Sequence, residues 1–292
     1  MRTVLLAALL LPATALARDC EHREERQLDL DFNGIRHLVV DVGANELTLE
    51  AAADGDGKLQ ALACASTPEH LTELQLKAER QGDTLNLRVE GGSLNVQLSL
   101  FGFEHRRYAW LRMQARIPEG IAVRTRVGSG EASLQGIESL DVELGSGEVE
   151  ITDSGNVALR VGSGDALLRD LRGPLRMRVG SGDVTLDGAA SLDVDSIGSG
   201  DLDARRINGE VRVASIGSGD FELREAGGPV WIGSIGSGDA RIERAQGNVV
   251  VDRVGSGDLI VREAGGLQVL DKGSGSIAHR YIEGAVELPS KD

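Results

Sequence analysis

Short runs in which apolar and polar residues alternate fill most of this chain. Residues 173–186 read GPLRMRVGSGDVTL, with Leu175, Met177 and Val179 separated by polar residues ahead of a glycine-rich turn. Alternation resumes beyond the turn at Val184. A period of two predicts strands with one buried face, so each unit holds two short strands joined by a glycine-rich bend.

This unit recurs along the second half of the chain. Nine copies of Gly-Ser-Gly, usually followed by Asp, are separated by 17 to 19 residues and begin at Gly128, Gly145, Gly162, Gly180, Gly198, Gly217, Gly236, Gly255 and Gly273. Such a period marks stacked repeats that bury their apolar faces against their neighbours. The sequence therefore predicts an all-β protein, a parallel β-helix or solenoid of about nine regular coils, with equivalent strands about 4.8 Å apart.

The sequence of the bends and of the later units predicts two further structural features. The glycines suit bends that need positive φ, and stacked bends leave no room for a Cβ atom. Later units, such as residues 213–216, have one extra residue before the turn, which predicts a β-bulge.

Three other repeat architectures fit less well. Left-handed hexapeptide helices repeat their apolar anchor every six residues, calcium-binding nonapeptide rolls carry GGxGxD twice per coil, and propeller blades need about 40 residues. Here the apolar positions cluster around one GSGD per coil, and the coil length drifts.

The chain is divided into three parts by these patterns. Residues 1–17 form a secretory signal that ends in Ala-Leu-Ala. Residues 18–120 are β-rich but irregular, and we interpret them as opening coils of the same solenoid, with a small separate β-sandwich as the alternative. Residues 121–292 form the regular solenoid with a C-terminal cap. Within the irregular part, residues 74–89 predict a hairpin or coil corner around Gly82, and residues 70–72 favour strand over a short helix.

Export changes the interpretation of the two cysteines, Cys20 and Cys64. In an exported protein the default for such a pair is one disulfide, which would tie the mature N-terminus to a strand near residues 59–64. The expected location is the periplasm or the cell surface.

Charge excludes several partners. The chain has 31 basic and 46 acidic residues, a net charge of −15, and removal of the signal leaves 30 − 46 = −16. A surface this acidic argues against nucleic acid, anionic lipid and acidic polysaccharide. Beyond the signal no apolar segment approaches 18 residues, so we predict no transmembrane segment.

The chain resembles the bacterial putative-adhesin family, a group of β-helix domains also described as auto-transporter adhesin heads of the GIN type. The resemblance rests on the exported leader, the step Ile117-Pro118-Glu119-Gly120 and the VGSGxxxL repeats, and it covers roughly residues 28–288. It implies a right-handed parallel β-helix without known catalytic residues. The family has no known ligand site to transfer to this chain.

One surface column consists of acids. In a parallel stack, the residues after Gly-Ser-Gly form a ladder of Glu131, Glu148, Asp165, Asp183, Asp201, Asp220, Asp239 and Asp258, which ends at Ser276. At about 4.8 Å spacing, neighbouring carboxylates repel by roughly 0.9 kcal/mol even at the dielectric constant of water. Either each Asp accepts backbone N–H bonds from its own bend, as in an Asx turn, or the ladder holds hard cations such as Ca²⁺.

Two aromatic features are candidate binding surfaces. Trp231 stands outward between inward-facing neighbours, one coil from Arg212, which places a cation–π contact within reach. Half of the eight aromatic residues lie in residues 101–110, where the candidates are Phe101, Phe103, Arg106, Arg107, Tyr108 and Trp110. This stretch is either a recognition loop or a hydrophobic plug that caps the first regular coil.

Catalytic chemistry has little support. The five histidines are scattered, give no metal-ligand spacing and leave the serine ladder without an activating base. We therefore expect no cofactor and a non-enzymatic, adhesin-like binding and spacer module of the cell envelope, whose partner is a protein or a surface glycan. The alternatives are a periplasmic scaffold or stress component with one specific protein partner, and a cation-binding solenoid.

Overall fold

The computed structural model describes residues 20–91 and 107–289. Stacked parallel strands build a β-solenoid of about nine turns, with one short helix among the described residues. The predicted all-β solenoid is therefore confirmed. That helix, α1 (Pro68–Glu73), has six residues and is too short to cross a membrane.

Among the described residues, eight strands precede the first Gly-Ser-Gly bend, at Gly128, and sixteen follow it. The first group comprises β1 (His22–Asp29), β2 (His37–Gly43), β3 (Glu46–Ala52), β4 (Lys58–Ala65), β5 (Gln75–Gln81), β6 (Thr84–Glu90), β7 (Ala109–Pro118) and β8 (Ala122–Val127). The second comprises β9 (Glu131–Gln135), β10 (Ser139–Leu144), β11 (Glu148–Thr152), β12 (Asn156–Val161), β13 (Asp165–Arg169), β14 (Pro174–Val179), β15 (Val184–Ala189), β16 (Ser191–Ile197), β17 (Leu202–Ile207), β18 (Val211–Ile216), β19 (Phe221–Ala226), β20 (Val230–Ile235), β21 (Ala240–Val254), β22 (Leu259–Lys272), β23 (Ile277–Ile282) and β24 (Val286–Glu287).

The coils flatten into two facing sheets. Strands that precede each Gly-Ser-Gly bend, such as β10, β12 and β14, pair in parallel and form the front sheet. Strands that follow the bend, such as β11 and β13, form the rear sheet in the same way. Apolar residues alternate inward from both sheets into one continuous core, so each coil buries its side chains against the coils beside it.

The Gly-Ser-Gly bends exclude side chains by contact and not by backbone conformation. None of their glycines is among the residues with positive φ, so the expectation of left-handed bends is wrong. A Cβ on the second glycine, for example Gly219, would instead overlap the carbonyl oxygen of the equivalent glycine one coil earlier, here Gly200. The expected lack of room is confirmed, because the bends stack backbone on backbone.

The predicted bulge is also present. The pairing of β14 with β16 shifts by one residue, so that Arg178 faces Ser196 and Asp195 is the additional residue. The extra residue lengthens the later coils without moving the inward column, because Val179 still pairs with Ile197.

Coil order differs from chain order at the N-terminal end. The coil built from β2 and β3 pairs with β8 and β9 on one side and with β6 and β7 on the other. Residues 37–52 therefore stack directly on the regular coils, and the later segment forms the outer coil.

Antiparallel strands close that outer coil. On the rear sheet β4 pairs with β7 and β1 pairs with β4, and on the front sheet β5 and β6 form the hairpin around Gly82. The predicted disulfide between Cys20 and Cys64 is present, with Cα atoms 5.7 Å apart. It ties the start of the described chain to β4, the strand region that the sequence indicated.

The preference for strand over residues 70–72 is wrong, because these residues lie in α1. Thr67 caps the helix by accepting the His70 N–H through its hydroxyl at 3.3 Å, and Pro68 follows in the first turn. A threonine cap followed by proline is a recognisable helix start.

At the C-terminal end of the described solenoid, positions that are buried in the preceding coils become exposed. Lys272 continues the core column after Val254 but is exposed, and β24 pairs only with β22 among the described strands. Tyr281 is 69% exposed and Leu270 is 58% exposed. Antiparallel strands, which close the N-terminal end, are not found here among residues 259–289.

One polar group is misplaced in the core. Thr125 pairs with Val40 and Val142 in an inward column, is fully buried, and its hydroxyl has no hydrogen-bond partner among the described residues.

Replacing Thr125 by valine, which has nearly the same shape, should raise the free energy of unfolding by about 1–2 kcal/mol. Chemical denaturation measures this gain, and the exposed Thr185→Val serves as the control with little change. A loss of stability in Thr125→Val would mean that the hydroxyl is satisfied.

Candidate functional site

The acid ladder forms as predicted along the first outward position of the rear sheet. Equivalent acids pair coil by coil, from Glu131 with Glu148 to Glu148 with Asp165. The aspartates from Asp165 to Asp239 are exposed, Asp258 is half-buried, and all of them follow the same line along the stack of coils.

Backbone hydrogen bonds stabilise this column of like charges. The carboxylate Oδ1 of each aspartate accepts the backbone N–H of the aspartate one coil later, at 2.8 to 3.3 Å, from Asp165 through Asp239. At the end, Asp258 accepts both the N–H and the hydroxyl of Ser276. These hydrogen bonds hold the pKa of Asp258 below its ordinary value, and the bond from the Ser276 hydroxyl has the largest effect.

The acceptor role of the aspartates agrees with the first expectation, but the donor differs. Each of the aspartates from Asp165 to Asp258 accepts a hydrogen bond from the next coil, so this part of the ladder connects one coil to another. Among residues 20–91 and 107–289, no group of three or more His, Cys, Asp or Glu residues is arranged to hold a metal ion.

The ladder geometry leads to a prediction at Asp220, whose Oδ1 accepts the Asp239 N–H at 2.9 Å. Asp220→Asn keeps an acceptor oxygen and removes two repulsive neighbours, so it should be at least as stable as the native protein. Asp220→Ala leaves the N–H without this acceptor and should lose about 1 kcal/mol. Melting should also be unchanged in EDTA. A lower transition in EDTA, together with destabilisation by Asp220→Asn, would establish cations in the ladder.

Trp231 lies on the outer face of the front sheet and is half-buried. The Arg212 guanidinium sits 4.9 Å from its ring centroid, and its indole N–H donates to Asp252 at 3.2 Å. The ring also covers Gly233, where a Cβ would lie 3.0 Å from it. The expected cation–π contact is present, and these contacts account for the position of the ring. A binding role for Trp231 stays a prediction.

Tyr108 and Trp110 belong to the closed N-terminal end. The Tyr108 hydroxyl accepts the Glu21 N–H at 3.1 Å, and the Tyr108 N–H donates to the Ser66 hydroxyl at 3.2 Å. Trp110 lies opposite Cys64 in the pairing of β4 with β7. These contacts place both aromatics in the outer coil, one coil away from the first regular coil, and their role as a cap or in recognition stays a prediction.

The remaining candidates of that stretch divide differently. Arg107 is exposed beside Tyr108. Phe101, Phe103 and Arg106 lie outside the described residues, so their role stays a prediction. Residues 91–108 separate β6 from β7, whereas in the regular coils only three or four residues, Gly-Ser-Gly alone or with the next residue, separate the front strand from the rear strand.

The comparison with known families agrees with this architecture. The family model described as Toastrack DUF4097 matches residues 35–263, most of the chain. The chain belongs to the Toastrack DUF4097 family. The match begins just before β2 and ends within β22, so it includes all the regular coils except the last.

The solved structures to which the chain is similar include three from Parabacteroides. A putative adhesin from Parabacteroides distasonis is 15% identical, with a TM-score of 0.47, over 89% of the Toastrack chain and 97% of the other. A putative adhesin from Parabacteroides merdae is 14% identical, with a TM-score of 0.42, over 89% and 97%. A putative lipid binding protein from Parabacteroides distasonis is 14% identical, with a TM-score of 0.37, over 92% and 98%. No curated protein matches the sequence.

Proposed function

We propose that this Toastrack protein is an exported, non-enzymatic binding and spacer module of the bacterial cell envelope. The observation that carries the proposal is the strict register of the coils, which turns each outward position into a straight column of side chains. The predicted resemblance to putative adhesins agrees with the family to which the chain belongs.

One such column of outward side chains lies along the front sheet. Its central outward position runs in register through Arg124, Asp141, Ala158, Arg176, Asp193, Arg212, Trp231, Val250 and Gln268. Arg124 pairs with Asp141 at 3.1 Å, so part of the column is internally neutralised. A surface of this kind offers many weak contacts to a repetitive partner, and such contacts add through multivalency.

Rigidity supports the spacer role. Backbone hydrogen bonds connect every bend to the one before it, as between the Gly236 N–H and the Ile216 carbonyl at 2.7 Å. The disulfide supports export, because such bonds persist in oxidising compartments.

Protease accessibility on intact cells tests the location on which this function depends. Cleavage of the protein by protease added to intact cells would support an outward-facing rod and adhesion to a protein or glycan. Protection until the outer membrane is disrupted would make the protein periplasmic and would overturn the adhesin proposal. A known periplasmic protein in the same cells controls for leakage.

A second candidate function is a periplasmic scaffold that binds one protein through residues 101–110. The long connection between β6 and β7 favours it, since the regular coils have no comparable insertion. The test replaces Phe101, Phe103 and Arg106 by alanine, with Trp110→Ala as the comparison. Lost capture of envelope proteins with unchanged melting supports the scaffold, whereas Trp110→Ala should lower melting because it removes a contact of the closed end.

A further inference from the structure

A polar groove runs along the edge where each rear strand turns back to the front sheet. It encloses about 1190 Å³ and follows seven coil segments from Asp170 to Glu283. Six steps between seven segments make it roughly 29 Å long at about 4.8 Å per strand. Buried Ala226, Ala245 and Ala264 lie in its middle segments, and these small side chains leave room for the depression.

One wall of the groove consists of residues with left-handed backbone. Arg206, Glu225, Arg244, Glu263 and Tyr281 have φ between 57° and 68°. This conformation costs about 1–2 kcal/mol for any residue except glycine, and glycine does occupy the same column at Gly188. The same conformation recurs at Asp153 outside the groove, so the groove is distinguished by the long polar side chains at these positions and not by the backbone.

The wall residues repeat every second coil. Successive segments read Arg206-Ile207-Asn208, Glu225-Ala226-Gly227, Arg244-Ala245-Gln246 and Glu263-Ala264-Gly265. Coils that carry an arginine and a carboxamide side chain therefore alternate with coils that carry a glutamate and a glycine. Two coils advance by about 10 Å, so a ligand that matches this pattern has a chemical repeat of that length.

Part of the hydrogen-bonding capacity in the groove is unused within the protein. The Arg206 guanidinium pairs with Asp170 at 3.1 Å and also with Asp187, and Arg244 pairs with Glu225 at 3.0 Å. The side chains of Asn208, Gln246 and Glu263 have no hydrogen bond or ion pair to another described residue and are exposed. Planar donors and acceptors, partly neutralised in pairs, suit hydroxyl and acetamido groups better than a full charge.

We propose that this groove binds a neutral β-1,4-linked polysaccharide chain, an inference that rests on the proposed binding function and names its ligand class. A β-1,4-linked chain with a twofold screw repeats after two sugars, close to the advance of two coils. Alternate sugars would then present the same edge to Arg206 and Arg244, while the intervening sugars face Glu225 and Glu263. Tyr281, at the end of the groove, offers an exposed ring against which a terminal sugar can stack.

A peptide fits the groove less well. The backbone N–H groups of Asn208, Gly227 and Glu283 already donate to carbonyls of the preceding coil at 2.8 to 3.0 Å. They are therefore not available to pair with an added strand. The groove also contains no apolar pocket at alternate positions, which an extended peptide uses for specificity.

Isothermal titration with chitohexaose and cellohexaose tests the proposal, with α-linked maltohexaose as the control sugar. The main variant is Arg206→Gly with Arg244→Gly, because glycine accepts the left-handed backbone and preserves folding. Asp153→Gly is the matched control, since Asp153 has φ of 48° in the same column but lies outside the groove. We expect the native protein to bind a β-linked hexaose, the double variant to bind at least tenfold more weakly, and Asp153→Gly to bind as the native protein does.

Three results would overturn the groove proposal: no binding of either β-linked hexaose, equal binding by the double variant, or equally tight binding of maltohexaose. Attachment of the native protein to envelope fractions, measured in parallel, separates the two proposals. Attachment without hexaose binding rejects the groove and leaves the binding module in place, whereas loss of both rejects the module as well.

Discussion

Gly219→Ala is expected to lower the free energy of unfolding by about 3 kcal/mol or more. The new methyl group would overlap the carbonyl oxygen of Gly200, and the nearby carbonyl carbon of Ser199 would lie within 2.9 Å. Both obstacles are backbone atoms held by the hydrogen bonds of the stack, so no side-chain rotation can relieve the overlap. The adjacent coils would have to separate, which exposes core residues on both sides.

Gly82→Ala separates this contact effect from backbone strain. Gly82 has φ of +64°, and a Cβ there would meet nothing within 4 Å, so its cost should be about 1 kcal/mol. Denaturant titration of both variants, followed by circular dichroism, measures the difference. Similar losses in the two variants would show that the stacked glycines serve backbone freedom and not close approach.

Alternation around a fixed glycine phrase was sufficient to predict the solenoid, because each coil repeats the same local pattern and pairs only with its neighbours. The donor to each ladder aspartate could not be predicted in the same way. Whether Asp220 bonds to its own bend or to the next coil depends on the path of the bend, and both possibilities place an N–H near the carboxylate. The backbone conformation of the bend glycines was predicted wrongly for a related reason. A positive φ and a lack of room for a Cβ atom both favour glycine, so the sequence alone does not distinguish them.

The groove depends on residues that the sequence keeps 19 positions apart. Arg206, Glu225, Arg244 and Glu263 are each ordinary surface residues in their own coil, and only stacking aligns them. Their left-handed backbone has no sequence signal, because glycine is absent at these positions. The sequence signal that could have predicted the groove is the alternation of Arg with Glu from one coil to the next, in three-residue segments that contain small buried alanines.

Coil order at the N-terminal end also required the structure. Two pairs of strands with similar alternation, β2 with β3 and β6 with β7, compete for the place beside the first regular coil. The chain places the earlier segment there, and local pattern does not distinguish them. The outer segment is then available to pair with β4 and β5, which close the end.

Loss of the disulfide should have the second large effect. Cys20 and Cys64 enclose a 44-residue separation, for which the chain-entropy relation gives about 4 kcal/mol of stabilisation. Among the described strands, the strand that it secures, β1, pairs only with β4, and β1 is largely exposed, so few apolar contacts hold it. Polar contacts, such as the Arg26 guanidinium donating to the Leu71 carbonyl at 2.7 Å, make up most of the remainder.

Cys20→Ala with Cys64→Ala should therefore release β1 first and expose Arg23 and Arg26 to trypsin, while the regular coils remain resistant. The denaturation midpoint should fall as β4 loses its cover, since Cys64 in β4 is fully buried and pairs with Arg23 of β1 on one side and with Trp110 of β7 on the other. Limited proteolysis with mass spectrometry locates the first cut, and denaturant titration measures the loss. Reductant serves as the internal control, because it should reproduce both effects in the native protein and change nothing in the double variant. An unchanged midpoint and a resistant β1 would show that strand pairing alone closes this end of the solenoid.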